Sequence, residues 1–330
     1  MELFSKYRSE LMGIAIIGVL IAHTIGLGEI KAENLLSRAI GFIPRLALTQ
    51  GFLFLSGFGL YYSFAKNSNI KDFYIRRINR LLIPFVILSA WFFIYRDFIE
   101  TFQPVNFLLH ISSLAFWFEG NYCGMWYIAI SVLLYTIFPL FYKAISLNGG
   151  KATATFVLLA ILLNFAIQQF LPAYYNKVAI GINKIPIFIV GIYAGQLSLS
   201  EMKKESIIFF CLTGMFWVIS FFLKSHFEYA VEIYTMTEKI VYMFAICILL
   251  SVSENLVFVK WICKMLKWFG RYSLELYVLH LLIFSFLSSE MLFGNTSPTV
   301  KVWIMVAGAL LLCVPFHKLT DVIIKKINQR

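Results

Sequence analysis

An all-α polytopic membrane bundle, with about ten transmembrane helices and both termini cytoplasmic, is the fold class that this sequence predicts. Three observations predict it. Of the 330 residues, 60% are hydrophobic and 14% charged, with a mean hydropathy of +0.81, more apolar than a soluble domain of this length carries. Apolar runs of about 17 to 20 residues recur from end to end, long enough to cross a bilayer as helices. The short alternating segments of a membrane β-barrel do not occur. No polar linker divides the chain, so 1–330 is expected to be a single transmembrane domain.

Taken in order, the expected spans are 11–27, 46–64, 81–99, 124–142, 153–171, 182–199, 206–223, 238–253, 273–290 and 299–316. Lys and Arg favour the cytoplasmic side of a membrane. Placing the N-terminus inside puts Lys6 and Arg8, the stretch from Lys66 to Arg80, the stretch from Lys260 to Arg271, and the C-terminal Lys318, Lys325, Lys326 and Arg330 on that side. An even number of spans returns the C-terminus there too. The net charge of +11 is thus a topology signal and implies no nucleic-acid partner. The first apolar run begins behind Lys6 and Arg8 and lacks a small-residue cleavage site, so it is expected to be retained as a span. The five cysteines, Cys123, Cys211, Cys247, Cys263 and Cys313, offer neither a disulfide framework nor a metal-binding spacing.

Between the spans, 28–45 reads as a mixed-charge outer loop, and 65–80 as a basic inner loop that becomes helical before its apolar continuation. Segment 100–123 is too polar for a span and too apolar for an ordinary loop, which suits an interfacial helix or a re-entrant piece over a cavity. "KWICKMLKWF" (260–269) alternates Lys with Trp and Leu at helical spacing, as an amphipathic helix on the inner surface would.

Chemistry-bearing residues are few. His23 stands about 18 Å into its span, near the middle of the core. A ring there is either a neutral packing histidine bonded to a neighbouring helix or a general base facing a wet cavity. Arg76, Arg77 and Arg80 in "YIRRINRLLIPF" share a helical face at the inner end of a span. They suit phosphate, although topology also asks for positive charge there. In "GFLFLSGFGLYY", Ser56, Gly57 and Gly59 fit close helix packing better than nucleophilic chemistry. Glu275 and His280 enter the ninth span, His280 as a rival to His23 in proton handling. Trp126 is among the aromatics near the outer side, an interfacial belt that could also stack on sugars.

Together these stretches resemble acyltransferase family 3, membrane proteins that include bacterial enzymes O-acylating surface polysaccharides. "GIAIIGVLIAH" looks like the family's first span ending in its histidine, "FLFLSGF" like its aromatic–Ser-Gly-Phe pattern, and "RRINRLLIPF" like its Arg-x-x-Arg. "MWYIAISVLLYTIFPL" is similar to the Trp-led fourth span and "GRYSLELYVLH" to the Gly-x-x-Ser…Tyr-x-x-His near the end. The resemblance implies a catalytic His23, acyl-CoA bound by Arg77, Arg80 and Arg76, and supporting roles for Ser56, Trp126, Glu275 and His280. It further implies acetyl-CoA as the donor substrate with no tightly bound cofactor, a glycan or lipid-linked saccharide as acceptor, the lipid bilayer as environment, and a multi-pass place in the bacterial cytoplasmic (inner) membrane. The chain would be a stand-alone version, without the extracytoplasmic hydrolase-like domain of some members. One departure is plain: the arginine that many members carry eleven residues before the histidine is Met12 here, with Arg8 one further turn away. Either Arg8 substitutes for it or the contact is dispensed with. The residues alone leave open a carrier or flippase for a glycolipid or small metabolite, because transporters use buried histidines and arginines too.

Overall fold

The computed structural model describes residues 1–27, 50–288 and 293–329, and no strand occurs among them. The expected outer loop 28–45, and the ends of the expected spans at 46–49 and 289–290, lie outside the described residues. In chain order the helices are α1 (Glu2–Lys6), α2 (Arg8–Leu27), α3 (Gly51–Lys66), α4 (Ile70–Arg77), α5 (Ile83–Ile94), α6 (Pro104–Ile111), α7 (Ala115–Glu119) and α8 (Trp126–Phe170). They continue with α9 (Pro172–Ile182), α10 (Ile185–Leu199), α11 (Lys203–Leu223), α12 (Glu228–Val252), α13 (Val257–Arg271), α14 (Ser273–Leu287) and α15 (Pro298–Asn328). Wide π-helical turns at Ile78–Leu82 and Tyr95–Glu100 flank α5.

Among the described residues, seven helical segments are long and apolar enough to cross a membrane, so the chain is a multi-pass membrane protein. That number differs from the ten spans expected, for identifiable reasons. The spans expected at 124–142 and 153–171 both fall within α8, whose helical path breaks at Gly149 (φ 51°, ψ −125°), a conformation open to glycine. α3 and α14 have 16 and 15 residues, and at 1.5 Å per residue they reach only about 22–24 Å, short of a ~30 Å core. Segment 65–80 does turn helical, starting where the Asn69 side chain accepts a bond from the Asp72 amide at 3.1 Å. Segment 100–123 forms the short helices α6 and α7, with left-handed backbone at Phe102, Ser113, Gly120 and Cys123. The amphipathic helix expected at 260–269 is α13, which leaves Val257, Phe258 and Trp261 exposed.

Without a hydrophobic drive between helices in lipid, close packing has to supply much of the association. Glycines make it possible here. A methyl group on Gly13 would sit 2.0 Å from the Leu266 carbonyl oxygen, and one on Gly270 would sit 2.1 Å from that of Ser9, so α2 and α13 cross with their backbones in contact. α3 and α10 repeat the arrangement: a methyl on Gly57 would lie 2.3 Å from the Phe188 oxygen, and one on Gly191 would lie 2.2 Å from that of Phe54. α2 also packs on α3, α14 and α15, which places it between the α3–α10–α8 group and the α5–α14–α15 group. At its start, Lys6 and Tyr7 both donate to Glu254 just ahead of α13, and these bonds hold that carboxyl below its usual range.

Gly13→Ala and Gly191→Ala are expected to lower the thermal unfolding midpoint in detergent, because overpacking of this kind costs about 1–3 kcal/mol. An unchanged midpoint in both variants would mean that the helix pairs separate freely.

Candidate active site

The crossing of α2 and α13 leaves open a cavity of about 620 Å³. Arg8, Met12, Val19 and His23 all line it, so it follows α2 over about 22 Å at helical rise. At the Arg8 end its walls carry Arg80, Lys267 and Arg271, while Trp126 and Tyr127 join His23 among its lining residues. His23 is only partly buried, whereas His280 on α14 is fully buried behind it.

The two histidines meet. His23 Nδ1 lies 2.8 Å from His280 Nε2, with the rings stacked at 5.1 Å. His280 Nδ1 lies 2.7 Å from the Leu276 carbonyl oxygen. A carbonyl can only accept, so His280 carries its proton on Nδ1 and, as a neutral ring, presents a lone pair at Nε2. His23 must then donate from Nδ1, which leaves its own Nε2 unprotonated. The α14 backbone thus sets the tautomer of a ring two bonds away, on the wall of the cavity.

The arginines stay within one another's field, Arg77 acting on both Arg80 and Arg8, but they differ in what they face. Arg80 lies within the Ile78–Leu82 π turn and lines the cavity. Arg76 and Arg77 are not among its lining residues. Arg76 donates to the Asn67 carbonyl at 3.2 Å, and Arg77 stands over the Phe73 ring at 5.6 Å. A common face for the three assumes ordinary α-helical spacing. The wide turn adds a residue and re-aims the side chains beyond it.

Arg8 fits a notch that α3 leaves for it. A methyl on Gly59 would come within 2.6 Å of the Arg8 guanidinium, and Arg8 Nε donates to the Leu55 carbonyl at 3.1 Å. Met12 shares the same cavity wall. Ser56 is buried and lies 2.8 Å from the Tyr135 hydroxyl, and Tyr135, not Ser56, reaches the cavity. Trp126 and Glu275 line it directly. Glu275 is buried and bound at 2.6 Å to His317 Nδ1, whose Nε2 lies 3.7 Å from Asp321. Sequence reasoning missed Lys267, Arg271 and His317 as site residues. Lys267 was hidden in an amphipathic pattern that surface binding already explains, Arg271 was explained as an inner-side topology charge, and His317 lay past the end of an expected span. Among the described residues no group of three or more His, Cys, Asp or Glu is placed to hold a metal ion.

A family model described as an acyltransferase domain matches residues 11–318. No curated protein and no solved structure matches the chain.

On a background with the native cysteines replaced, Met12→Cys and Ile324→Cys, which line the cavity, are expected to react with a charged maleimide, and Ile16→Cys, at a fully buried position, is not. Equal protection of all three sites would show that water does not fill the cavity.

Proposed function

The chain belongs to acyltransferase family 3, and from that premise we propose that it is a membrane O-acyltransferase moving an acyl group, expected to be acetyl, from cytoplasmic acyl-CoA to a hydroxyl of a cell-surface or lipid-linked glycan. The observation that supports this most is a single cavity lined both by His23, with its free Nε2, and by Arg8, Arg80, Lys267 and Arg271. A base and a polyanion site are the two things this transfer needs.

The donor phosphates belong at the cation-lined end. Arg80 and Arg8 offer planar bidentate donors, Arg271 adds charge from α13, and Lys267 lies beside it, paired with buried Glu10 at 3.4 Å. Arg76 and Arg77 add to the positive field at that mouth from outside the wall. Since acyl-CoA is cytoplasmic, this end faces the cytoplasm, in the bacterial inner membrane, and the acyl chain points along α2 toward His23. Arg8 takes the place of the arginine that the family carries where this chain has Met12.

At the far end His23 Nε2 accepts the proton of the acceptor hydroxyl as its oxygen attacks the thioester carbonyl. The carbon–sulfur bond then breaks, and the thiolate takes that proton back from Nε2, leaving an ester and free CoA thiol. His280 is a positioning residue: it accepts from His23 Nδ1–H throughout, so the imidazolium that forms keeps its partner. In the alternative route the same lone pair attacks the thioester and expels the thiolate, giving an acyl-imidazolium that the acceptor hydroxyl then attacks, with its proton passing to the thiolate. Trp126 lines the reacting end of the cavity, while Tyr135, bonded to Ser56, and Glu275, bonded to His317, support its wall.

His23→Ala is expected to insert normally and to lose roughly 10²–10⁴-fold in kcat, and His280→Ala to lower kcat with little change in either KM. Turnover unchanged in His23→Ala would remove the ring from the chemistry. Labelled acetyl-CoA in detergent also separates this reading from a carrier, which moves no label onto glycan.

Arg80→Ala is expected to raise the donor KM by about tenfold or more, the equivalent of one charge-assisted contact, with a smaller effect from Arg76→Ala. Equal small effects from both would assign the arginines to topology alone.

A further inference from the structure

At the other end of α5 from Arg80, a second and smaller pocket of about 190 Å³ is lined by Tyr95, Arg96, Glu100, Tyr122, Ser285 and Ser288, among others. It borders the π turn Tyr95–Glu100, and α5 alone separates the two π turns by about 18 Å. The pocket therefore lies toward the opposite membrane face from the cation-lined mouth. Ser285 on α14 and Ser288, which caps its end, follow His280 by about 7.5 and 12 Å of helical rise. Tyr122 precedes Trp126, which lines the main cavity, by four residues.

The walls of this pocket are built. The Arg96 guanidinium stands over the Tyr122 ring at 3.7 Å, with its Nε 4.0 Å from Asp97 Oδ1, yet its Nη1 is buried with no hydrogen-bond partner among the described residues. Behind it, buried His110 is held on both nitrogens, by Asp97 at 2.8 Å and Glu119 at 3.2 Å, and its ring stacks on Phe93 at 5.2 Å. That clamp ties α6 and α7 to the end of α5, so the short helices of segment 100–123 form a fixed rim. A buried guanidinium N–H without a partner costs free energy comparable to a lost hydrogen bond, and a ligand at Arg96 would remove the deficit.

The chemistry narrows that ligand. Phosphate would meet Arg96 but also Glu100, with Asp97 and Glu119 close behind. An acyl chain would bury charged groups against hydrocarbon. A sugar ring fits both sides of the pocket: its hydroxyls accept from a guanidinium and donate to a carboxylate and to Ser288 Oγ, whose own proton goes to the Phe284 carbonyl at 2.8 Å, and its C–H face lies on an aromatic ring. The volume equals about six waters at ~30 Å³ each, room for one ring.

We propose that this pocket is a saccharide subsite that seats one sugar of the acceptor while a neighbouring sugar presents its hydroxyl to His23. The proposal rests on the transferase reading and adds the side from which the acceptor enters.

The test uses the full chain in nanodiscs and, as probe, a fluorescently labelled glycan fraction from the envelope of a strain lacking the protein. Wild-type protein should bind the probe without donor present. Arg96→Ala and the pocket-filling Ser288→Trp should each weaken that binding by about tenfold or more, and should raise the acceptor KM in transfer while the donor KM changes far less. Binding and acceptor KM unchanged in both variants would overturn the subsite and leave acyl transfer standing. Probe binding that depends on Arg96, with no label transferred by the wild type, would overturn the transferase reading and leave the subsite standing. Absence of any probe binding to the wild type would also overturn the subsite.

Discussion

The hydrogen bond from His23 Nδ1 to His280 Nε2 is the contact that the rest of this bundle is arranged around. An ionisable ring deep in a membrane protein is tolerated when it faces protein or water and finds a partner. Here the partner is a second imidazole, fixed in turn by the Leu276 carbonyl. The chain of three groups ends on a main-chain oxygen with no carboxylate in it, so no buried negative charge has to be offset. Tautomer, orientation and access are set together, because α14 holds His280 and α2 holds His23 along the cavity wall.

Two features give that ring a route to a polyanion. Glycine crossings bring α13 against α2 closely enough for Lys267 and Arg271 to reach the same cavity as Arg8. The π turn before α5 adds Arg80 from a different direction. Cations gathered from separate chain segments would repel one another in a dry interior. They are tolerable because the cavity opens at that end, and Arg80 and Lys267 are exposed there. The same openness suits a substrate that arrives from water with its own charge.

Much of this was legible in the sequence, and the remainder was illegible for physical reasons. Apolar length gave the helical membrane class, and a histidine alone in the "IAIIGVLIAH" stretch pointed at His23. The order of motifs carried the family. The pairing of His23 with His280 spans 257 positions and is invisible to local pattern, although each ring drew notice by itself. Which arginine of the cluster lines the cavity was not legible, because helical spacing presumes a uniform helix and the local excess at the π turn has no compositional mark. Lys267 was read as surface charge, since an amphipathic helix on lipid and one flanking a cavity show the same periodicity, and Arg271 as an inner-side topology charge. Gly57 was read as a packing residue from its own stretch, whereas glycines at 13, 191 and 270 were individually ordinary, and only their mutual placement makes them contact points.

The π turn at Ile78–Leu82 also bears on how this chain should be compared with others. A π turn houses one residue beyond the α-helical complement, so the helix after it is out of phase with the helix before it by about 100°. Any alignment that treats the stretch as continuous helix will assign Arg80 to the wrong face. A relative one residue shorter at this point would present a different side chain inward with no substitution at all. Insertions and deletions at that turn, rather than exchanges of residue type, are the changes that would retune what the cavity holds.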